Sequence, residues 1–297
     1  MKTTEMTDGG RPIRDIEGII EQLTRIERIG NDEWMKRLNA RKRAELEFHD
    51  RDRNRQALPQ PGSDTYEKFY GNLKYYDATG LSKTYVHQWI DMHAPGKVFL
   101  DYACGNGFNA IHAAKAGASL SIGIDISAVS IENARVDASS ANVASTVRFV
   151  QADAEQTMLP DRSVDVVICS GMLHHLDLTY AFPELRRILA PGGRILAVEA
   201  LDYNPLIKAY RMLTPAMRTE WEKAHILSLA DVRFARRFFE IAEIRYWHIL
   251  SILGAHVPTL LPVLNALDRV ATHIPLVQLM AWIFTFELRS METNHTA

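Results

Sequence analysis

Cysteine is scarce: Cys104 and Cys169 are the two in 297 residues. That count excludes a disulfide framework. No metal-ligand spacing accompanies them, so no metal site is expected and a reducing, cytoplasmic setting is. Neither charge dominates. Lys and Arg number 34 against 36 Asp and Glu, a net charge of −2, which gives no general reason to expect nucleic acid as a partner. The opening MKTTEMTDGGRPIRD lacks the apolar run of a secretory signal, and residues 1–12 read as disordered. Internal repeats and low-complexity tracts are absent. One stretch alone, Ile249–Leu267, runs 19 residues without a formal charge. Gly254, His256, Pro258, Pro262 and Asn265 argue against a membrane span there and for buried core or a greasy pocket, leaving peripheral membrane contact open. What is present is 47% apolar and 24% charged, enough to bury the core of one large α/β domain with additions.

The chain turns on Val98–Asp125, VFLDYACGNGFNAIHAAKAGASLSIGID. An apolar run ends in Asp101, small residues follow at Ala103, Cys104, Gly105 and Gly107, and a second apolar strand closes on Asp125. This is a strand–loop–helix–strand unit whose tight loop lets a ligand approach the backbone. The loop satisfies G-x-G-x-x-G/A, so spacing alone fits a dinucleotide as well as S-adenosylmethionine (SAM). Asp101 separates the two. A carboxylate at the strand end repels a pyrophosphate, whereas the sulfonium and ammonium of SAM welcome it. Asp125 suits ribose hydroxyls under either reading.

Upstream, apolar spacing predicts two helices between Ile13 and Leu46, broken at Gly30-Asn31-Asp32, with Asn31 or Asp32 as the second helix's cap. Lys36–Arg55 is crowded with charge of both signs and reads as a solvated helix face. Leu58–Ser63 is a linker or sharp turn. Tyr66–Tyr76 carries five aromatic residues that either pack the extension onto the core or form a lid whose Tyr66, Tyr70 and Tyr76 hydroxyls reach a ligand. From residue 81 the pattern alternates β and α. Strands are expected near Lys97–Asp101, Ser119–Ile124, Val147–Gln151, Val164–Ser170 and Arg194–Ala200, with two more at Glu243–Leu250 and Trp282–Arg289. A turn is expected at Pro191-Gly192-Gly193. Residues 1–80 thus form a helical extension and 81–297 the core, with a helical insertion at 202–240 after the fifth strand and an apolar segment at 249–280.

The core resembles the class I SAM-dependent methyltransferases, in their small-molecule ("type 11") branch. Five stretches carry the likeness, from residue 97 to about 200. The first is Leu100-Asp101-Tyr102-Ala103-Cys104-Gly105-Asn106-Gly107, with Ala103 in place of the family's first glycine. The second is Gly123-Ile124-Asp125-Ile126-Ser127 and the third Gln151-Ala152-Asp153-Ala154-Glu155. The fourth runs Val164–Leu176 and the fifth Leu185–Gly193. The resemblance implies a Rossmann-like seven-stranded sheet with helices on both faces and an antiparallel last strand. It gives SAM the loop residues Asp101, Ala103, Cys104, Gly105 and Gly107. Asp125 would hold the ribose and Ile126 an adenine face, with Asp153 and Ala154 at the adenine amino group and Ser170 at the fourth strand's end. The arrangement of extension and insertion is similar to methyltransferases of bacterial secondary metabolism, including those that C-methylate isoprenoids.

Methyl transfer uses an already activated donor, so the protein mainly positions the acceptor and excludes water. A base is needed where the acceptor must lose a proton, and His174 and His175 are the candidates. Adjacent residues point apart, so one serves at most; motif position favours His175, and hydrogen bonding that shapes the loop is the alternative role. Asp125→Ala is expected to weaken SAM binding with little effect on folding. The pair His49-Asp50 enters the site if the extension folds over the cofactor. The expected activity is C- or O-methylation of a small lipophilic or aromatic acceptor. A sugar O-methyltransferase, a non-catalytic SAM-binding subunit and an NAD(P)-dependent dehydrogenase are the competing readings, and the N-terminal helices offer a homo-oligomer contact.

Overall fold

The computed structural model describes residues 15–291 apart from Gln56; the expected disorder of residues 1–12 lies outside them. The core alternates β1 (Val98–Tyr102), α1 (Phe108–Lys115), β2 (Leu120–Asp125), α2 (Ala128–Ser140), β3 (Val147–Gln151), β4 (Val164–Ser170), α3 (Leu178–Ile188) and β5 (Leu189–Ala200). β6 (Phe239–Trp247) and β7 (Ile283–Ser290) complete a seven-stranded sheet in the order β3-β2-β1-β4-β5-β7-β6. β7 alone runs antiparallel to its neighbours, as expected for the last strand.

β1 and β2 are buried along their whole length, as continuous apolar runs in a parallel sheet should be. Their side chains alternate between two cores. Val98, Leu100 and Tyr102 face one, with Leu185 of α3. Phe99 faces the other, with Ile168 and Leu196. Strand order reverses between β1 and β4, so their carboxyl ends part and leave a crevice where such sheets bind ligands.

The turn at Pro191–Gly193 sits within β5. Pairing with β4 jumps from Leu189 to Arg194, and the intervening residues leave the register with Gly192 at φ +71°. This is a bulge inside one long strand, where a separate turn was expected.

Six helices precede the sheet: αA (Ile16–Glu27), αB (Asn31–Arg37), αC (Ala40–Arg53), αD (Asp64–Tyr70), αE (Leu73–Tyr76) and αF (Gly80–His93). The stretch to Leu46 therefore holds three helices, not two. Gly30 takes the N-cap position of αB without a side-chain bond, and Asn39 caps αC through Lys42 N. αA buries Ile19, Leu23 and Ile26 in the main core. After β5 come αG (Pro205–Leu213), αH (Glu220–Ala224) and αI (Leu229–Ala235), then αJ (Leu261–Ala271) between β6 and β7. The apolar segment is exposed rather than buried: Leu253, Val263 and Leu267 are each at least half open to solvent. Pro258 and Pro262 lie in the first turn of a 3-10 helix and of αJ, where a missing N–H costs nothing.

Candidate active site

The loop after β1 reverses the chain through three left-handed residues: Ala103 at φ +58°, Gly105 at +52° and Gly107 at +76°. At Gly107 a Cβ would stand 2.5 Å from the Phe149 ring, so glycine is required there. Ala103 holds a conformation that glycine adopts freely, so it carries backbone strain as well as an added methyl.

Asp101 is 2% exposed and accepts a hydrogen bond from Ala110 N at the start of α1 (3.1 Å). Burial pushes its pKa up to about 7 against the bonds from Ala110 and Asn109. Its charge is therefore only partly present at neutral pH, and it repels an anion less than the sequence argument assumes. Asp125 accepts from Gly105 N (2.8 Å) and from Ser127 N (2.9 Å). Burial raises its pKa too, opposed by those two bonds. The expectation that Asp125→Ala spares folding is corrected: this carboxylate ties the loop to the second strand.

In front of Asp125 lies a cavity of about 100 Å³, reached by Ala103, Asp125, Ile126, Asp153, Ala154 and Ser170; Asp101, Gly105 and Gly107 stand behind its wall and do not line it. Cys104, half-buried on the loop, faces Gly123 behind it. The opposite wall is αC, which contributes Arg41, Lys42, Glu45, His49 and Arg53. Spacings of three, four and four residues from Lys42 put these side chains on one helix face. Lys42 Nζ lies 2.5 Å from Asp153 and 2.8 Å from Glu155, and Arg41 pairs with Glu155 while donating to His175 O (2.8 Å). Ser127 donates to Asp50, and Arg55 grips Asp137 (2.6 Å). The charge-rich helix is thus a cover paired across the sheet's carboxyl edge, not a solvated face. It brings His49 of the His49-Asp50 pair to the cavity, while Asp50 turns to Ser127 and does not line it.

The loop after β4 forms a single tight turn, Leu173–His175. Glu199, 1% exposed on β5, shapes it: one oxygen accepts from Met172 N (2.9 Å) and Leu173 N (2.8 Å), the other meets His174 Nδ1 (2.6 Å). His175 Nδ1 meets Glu45 (2.8 Å), whose other oxygen accepts from Thr219 Oγ1 (2.5 Å). The two imidazoles lie side by side, 4.1 Å between centroids, rather than pointing apart. They are separated by their carboxylates. With its Nδ1–H given to Glu45, His175 keeps Nε2 free to accept a proton. His49 stands 4.6 Å from the His175 ring, and burial first, then its neighbours His175 and Arg53, hold its pKa well below the usual imidazole value. Ligand atoms of Glu45, His49 and His175 lie within 4.8 Å of one another, a three-donor set that spacing along the chain did not reveal. Burial also raises the pKa of Glu222, which faces His175 and Arg218.

Glu45, Glu199, Glu222 and the αC cations escaped the sequence reading. Glu199 left a signal, a lone carboxylate within the apolar strand ILAVEAL; Glu45 left none within its charge run. Tyr66 and Tyr70 pack together on αD with rings tilted and centroids 5.6 Å apart, and Tyr70 faces Asp52 and Arg51 of αC. Tyr76 packs against Trp282 at 5.1 Å, and burial raises its hydroxyl, on which Glu222, Arg211, Arg218 and Glu199 act. A wider cleft of about 550 Å³ shares Arg41 and Glu45 with the first cavity and is lined by Phe48, Thr219 and Trp221. Trp221 stacks on His225 (3.6 Å) and lies under the Arg41 guanidinium (4.6 Å).

Residues 100–197 match the family described as "Methyltransferase domain". The chain is 41% identical over 101 residues to a 27-O-demethylrifamycin SV methyltransferase of Amycolatopsis mediterranei (strain S699), covering 34% of this chain and 37% of that protein. It is 33% identical over 116 residues to a ribosomal protein L11 methyltransferase of Ralstonia pickettii (strain 12J), covering 39% and 36%. The chain therefore spans little more than a third of the length of these relatives. Among solved structures, a geranyl diphosphate C-methyltransferase of Streptomyces coelicolor A3(2), bound to Mg2+, geranyl diphosphate and S-adenosyl-L-homocysteine, superposes with TM-score 0.58 at 13% identity, over 85% of this chain and 99% of that one. A magnesium protoporphyrin IX methyltransferase of Synechocystis PCC 6803 gives 0.56 at 20% identity, over 84% and 100%. At these identities the likeness is one of fold.

Proposed function

We infer, from a chain whose residues 100–197 belong to the methyltransferase domain family, that it transfers a methyl group from SAM to a small lipophilic or aromatic acceptor. The carrying observation is that Glu45 lines both the cavity beside Asp125 and Asp153 and the aromatic cleft at Trp221. Two adjoining chambers meet at the carboxylate that orients His175. Cofactor suits the first chamber by the chemistry of its walls: Ala103 of the loop after β1, the strand-end acid Asp125 with Ile126, and a second acid at Asp153. Bound there, SAM supplies an electrophilic methyl group. The rest is the protein's own work. Glu45 fixes the ring of His175, whose Nε2 takes the acceptor's proton, and αC closes the site against water. The 550 Å³ cleft is sized for a drug-like acceptor, and its Phe48 and Trp221 rings suit a flat or apolar one.

The test is calorimetric binding of SAM and of NAD(P), followed by an acceptor panel read by the mass gain of one methyl. SAM binding with turnover of hydrophobic acceptors is expected. Binding of NAD(P) without SAM overturns the cofactor, exclusive turnover of sugars overturns the acceptor class, and bound SAM with no transfer even beside a partner protein favours a non-catalytic subunit.

A further inference from the structure

Two imidazoles converge on one carboxylate oxygen at the seam between αC and the loop after β4. Glu45 and His49 are four residues apart on αC and share a face, with Glu45 Oε2 3.8 Å from His49 Nε2. The same oxygen lies 2.8 Å from His175 Nδ1, which arrives from 130 positions away in the chain. An ion held at about 2.1 Å in a tetrahedral set keeps its donors about 3.4 Å apart, a value that these two distances straddle. The side chains are withdrawn from water, at 7% exposure for Glu45, 14% for His175 and 26% for His49. The other Glu45 oxygen accepts from the buried Thr219 hydroxyl. A partner outside the set thus turns the carboxylate toward the two rings, as metal-ligating carboxylates are turned.

All three residues line the 100 Å³ cavity, which leaves an ion among them one side open to water or to a bound molecule. The nearby cations have carboxylates of their own. Arg41 pairs with Glu155, Lys42 with Asp153 and Glu155, and Arg53, also near His49, acts on Asp125. His174, His175 and Glu222 form a second set of donors within the same 4.8 Å. There, however, His174 Nδ1 is engaged by Glu199 (2.6 Å) and Glu222 by Arg218 (3.5 Å), whereas the rings of the first set engage their own carboxylate. Two imidazoles and one carboxylate suit Zn2+ and its neighbours Co2+ and Ni2+; Mg2+ and Ca2+ take oxygen ligands.

We propose that Glu45, His49 and His175 bind a divalent transition-metal ion of the zinc class. The ion ties αC to the loop after β4 and clamps the cover over the cavity. It displaces the proton from His175 Nδ1, so the neutral ring carries its one proton on Nε2. On the methyl-transfer reading above, that ring can no longer take a proton from the acceptor, and the loaded protein is the slow form. The experiment is calorimetric titration of the chelator-treated full chain with ZnCl2. It uses neither SAM nor acceptor, so its failure and the failure of that reading are separable. One Zn2+ per chain is expected, with no comparable binding of Mg2+. His49→Gln and Glu45→Gln should each weaken affinity by about a hundredfold or more, and Thr219→Val by about tenfold, the scale of losing an orienting partner. His174→Gln should bind as the wild type does. Zn2+ should raise the melting temperature and slow amide exchange along residues 40–53 in the wild type and not in His49→Gln. It should lower kcat toward an acceptor that must lose a proton, and a chelator should restore it. Wild type that binds no Zn2+ overturns the proposal, as does equal affinity in His49→Gln and Glu45→Gln. Loss of binding confined to His174→Gln assigns the ion to the second set and also overturns it. Bound Zn2+ that leaves exchange in αC unchanged overturns the clamp, and an unchanged kcat overturns the slow form.

Discussion

Asp101 and Asp125 end neighbouring strands, yet their carboxylates do different work. Asp101 is buried against the first turn of α1, and burial pushes its pKa up to about 7, so it holds its proton far further toward neutral pH than an ordinary carboxyl. A sulfonium and an ammonium entering the adjacent loop favour its ionised form and expel that proton. SAM binding near neutral pH is therefore expected to release a fraction of a proton, seen as calorimetric heats that change with buffer ionisation enthalpy. Asp101→Asn should abolish that dependence. Asp125→Ala, by contrast, leaves two buried N–H groups without their acceptor. It should cost roughly 2–4 kcal/mol of folding stability as well as cofactor affinity, checked by urea unfolding. The two histidines divide in the same way. His175→Ala should lower kcat by about a hundredfold or more, as loss of a general base does. His174→Ala should act more through stability, because Glu199 then keeps its two backbone bonds but loses its imidazole. Parallel kcat and melting measurements on both variants check this, and equal full activity in both would mean that positioning alone drives transfer.

The element that governs access is αC. Lys42 occupies the Asp153 carboxylate expected to meet the adenine amino group, and both side chains are largely withdrawn from water, at 15% and 13% exposure. Cofactor entry then requires αC to lift or Lys42 to swing aside. Lys42→Met should speed SAM association several-fold in stopped-flow fluorescence, and SAM should slow amide exchange along residues 40–53. Amide exchange in αC that is the same with and without SAM would remove the helix from the route. The sequence could not announce this role. A run of interleaved charges looks alike whether its partners are water or, as with Arg41 and Glu155, residues 114 positions away. The glycine loop was legible for the opposite reason. Its left-handed turn and its approach to Phe149 are demands on the residues themselves, and glycine is the local answer to them.

Across the whole molecule, the alternation of β and α segments made the layered α/β class legible. The seven-stranded sheet with its antiparallel last strand came through the resemblance of five stretches, and the order of the strands was read from the structure alone. The apolar stretch Ile249–Leu267 was misread because an apolar run does not by itself say how much of it the fold withdraws from water. Two of the buried titratable groups act on stability with opposite slopes. His248, 1% exposed between the Ser82 and Ser251 hydroxyls (2.8 Å each), is lowered to about 4 by burial, with Asp268 opposing and Lys83 assisting. Between pH 4 and 6.5 the unfolded chain binds a proton that the folded His248 refuses. Its contribution is thus present above pH 6.5 and lost as pH falls, at a cost of roughly 3 kcal/mol. Asp101 does the reverse. The folded carboxyl keeps its proton up to about 7 while the unfolded one releases it near 3.8. Its contribution is present in acid and lost as pH rises through that window, by roughly 4 kcal/mol. The wild type should therefore change little in urea stability, as far as these two groups decide it, between pH 4.5 and 7, values chosen at roughly the window's ends. His248→Asn, whose side chain tolerates the φ of +65° found there, should become more stable as pH falls. Asp101→Asn should become less stable over the same range. Parallel profiles for wild type and both variants would mean that other groups set the pH response of the fold.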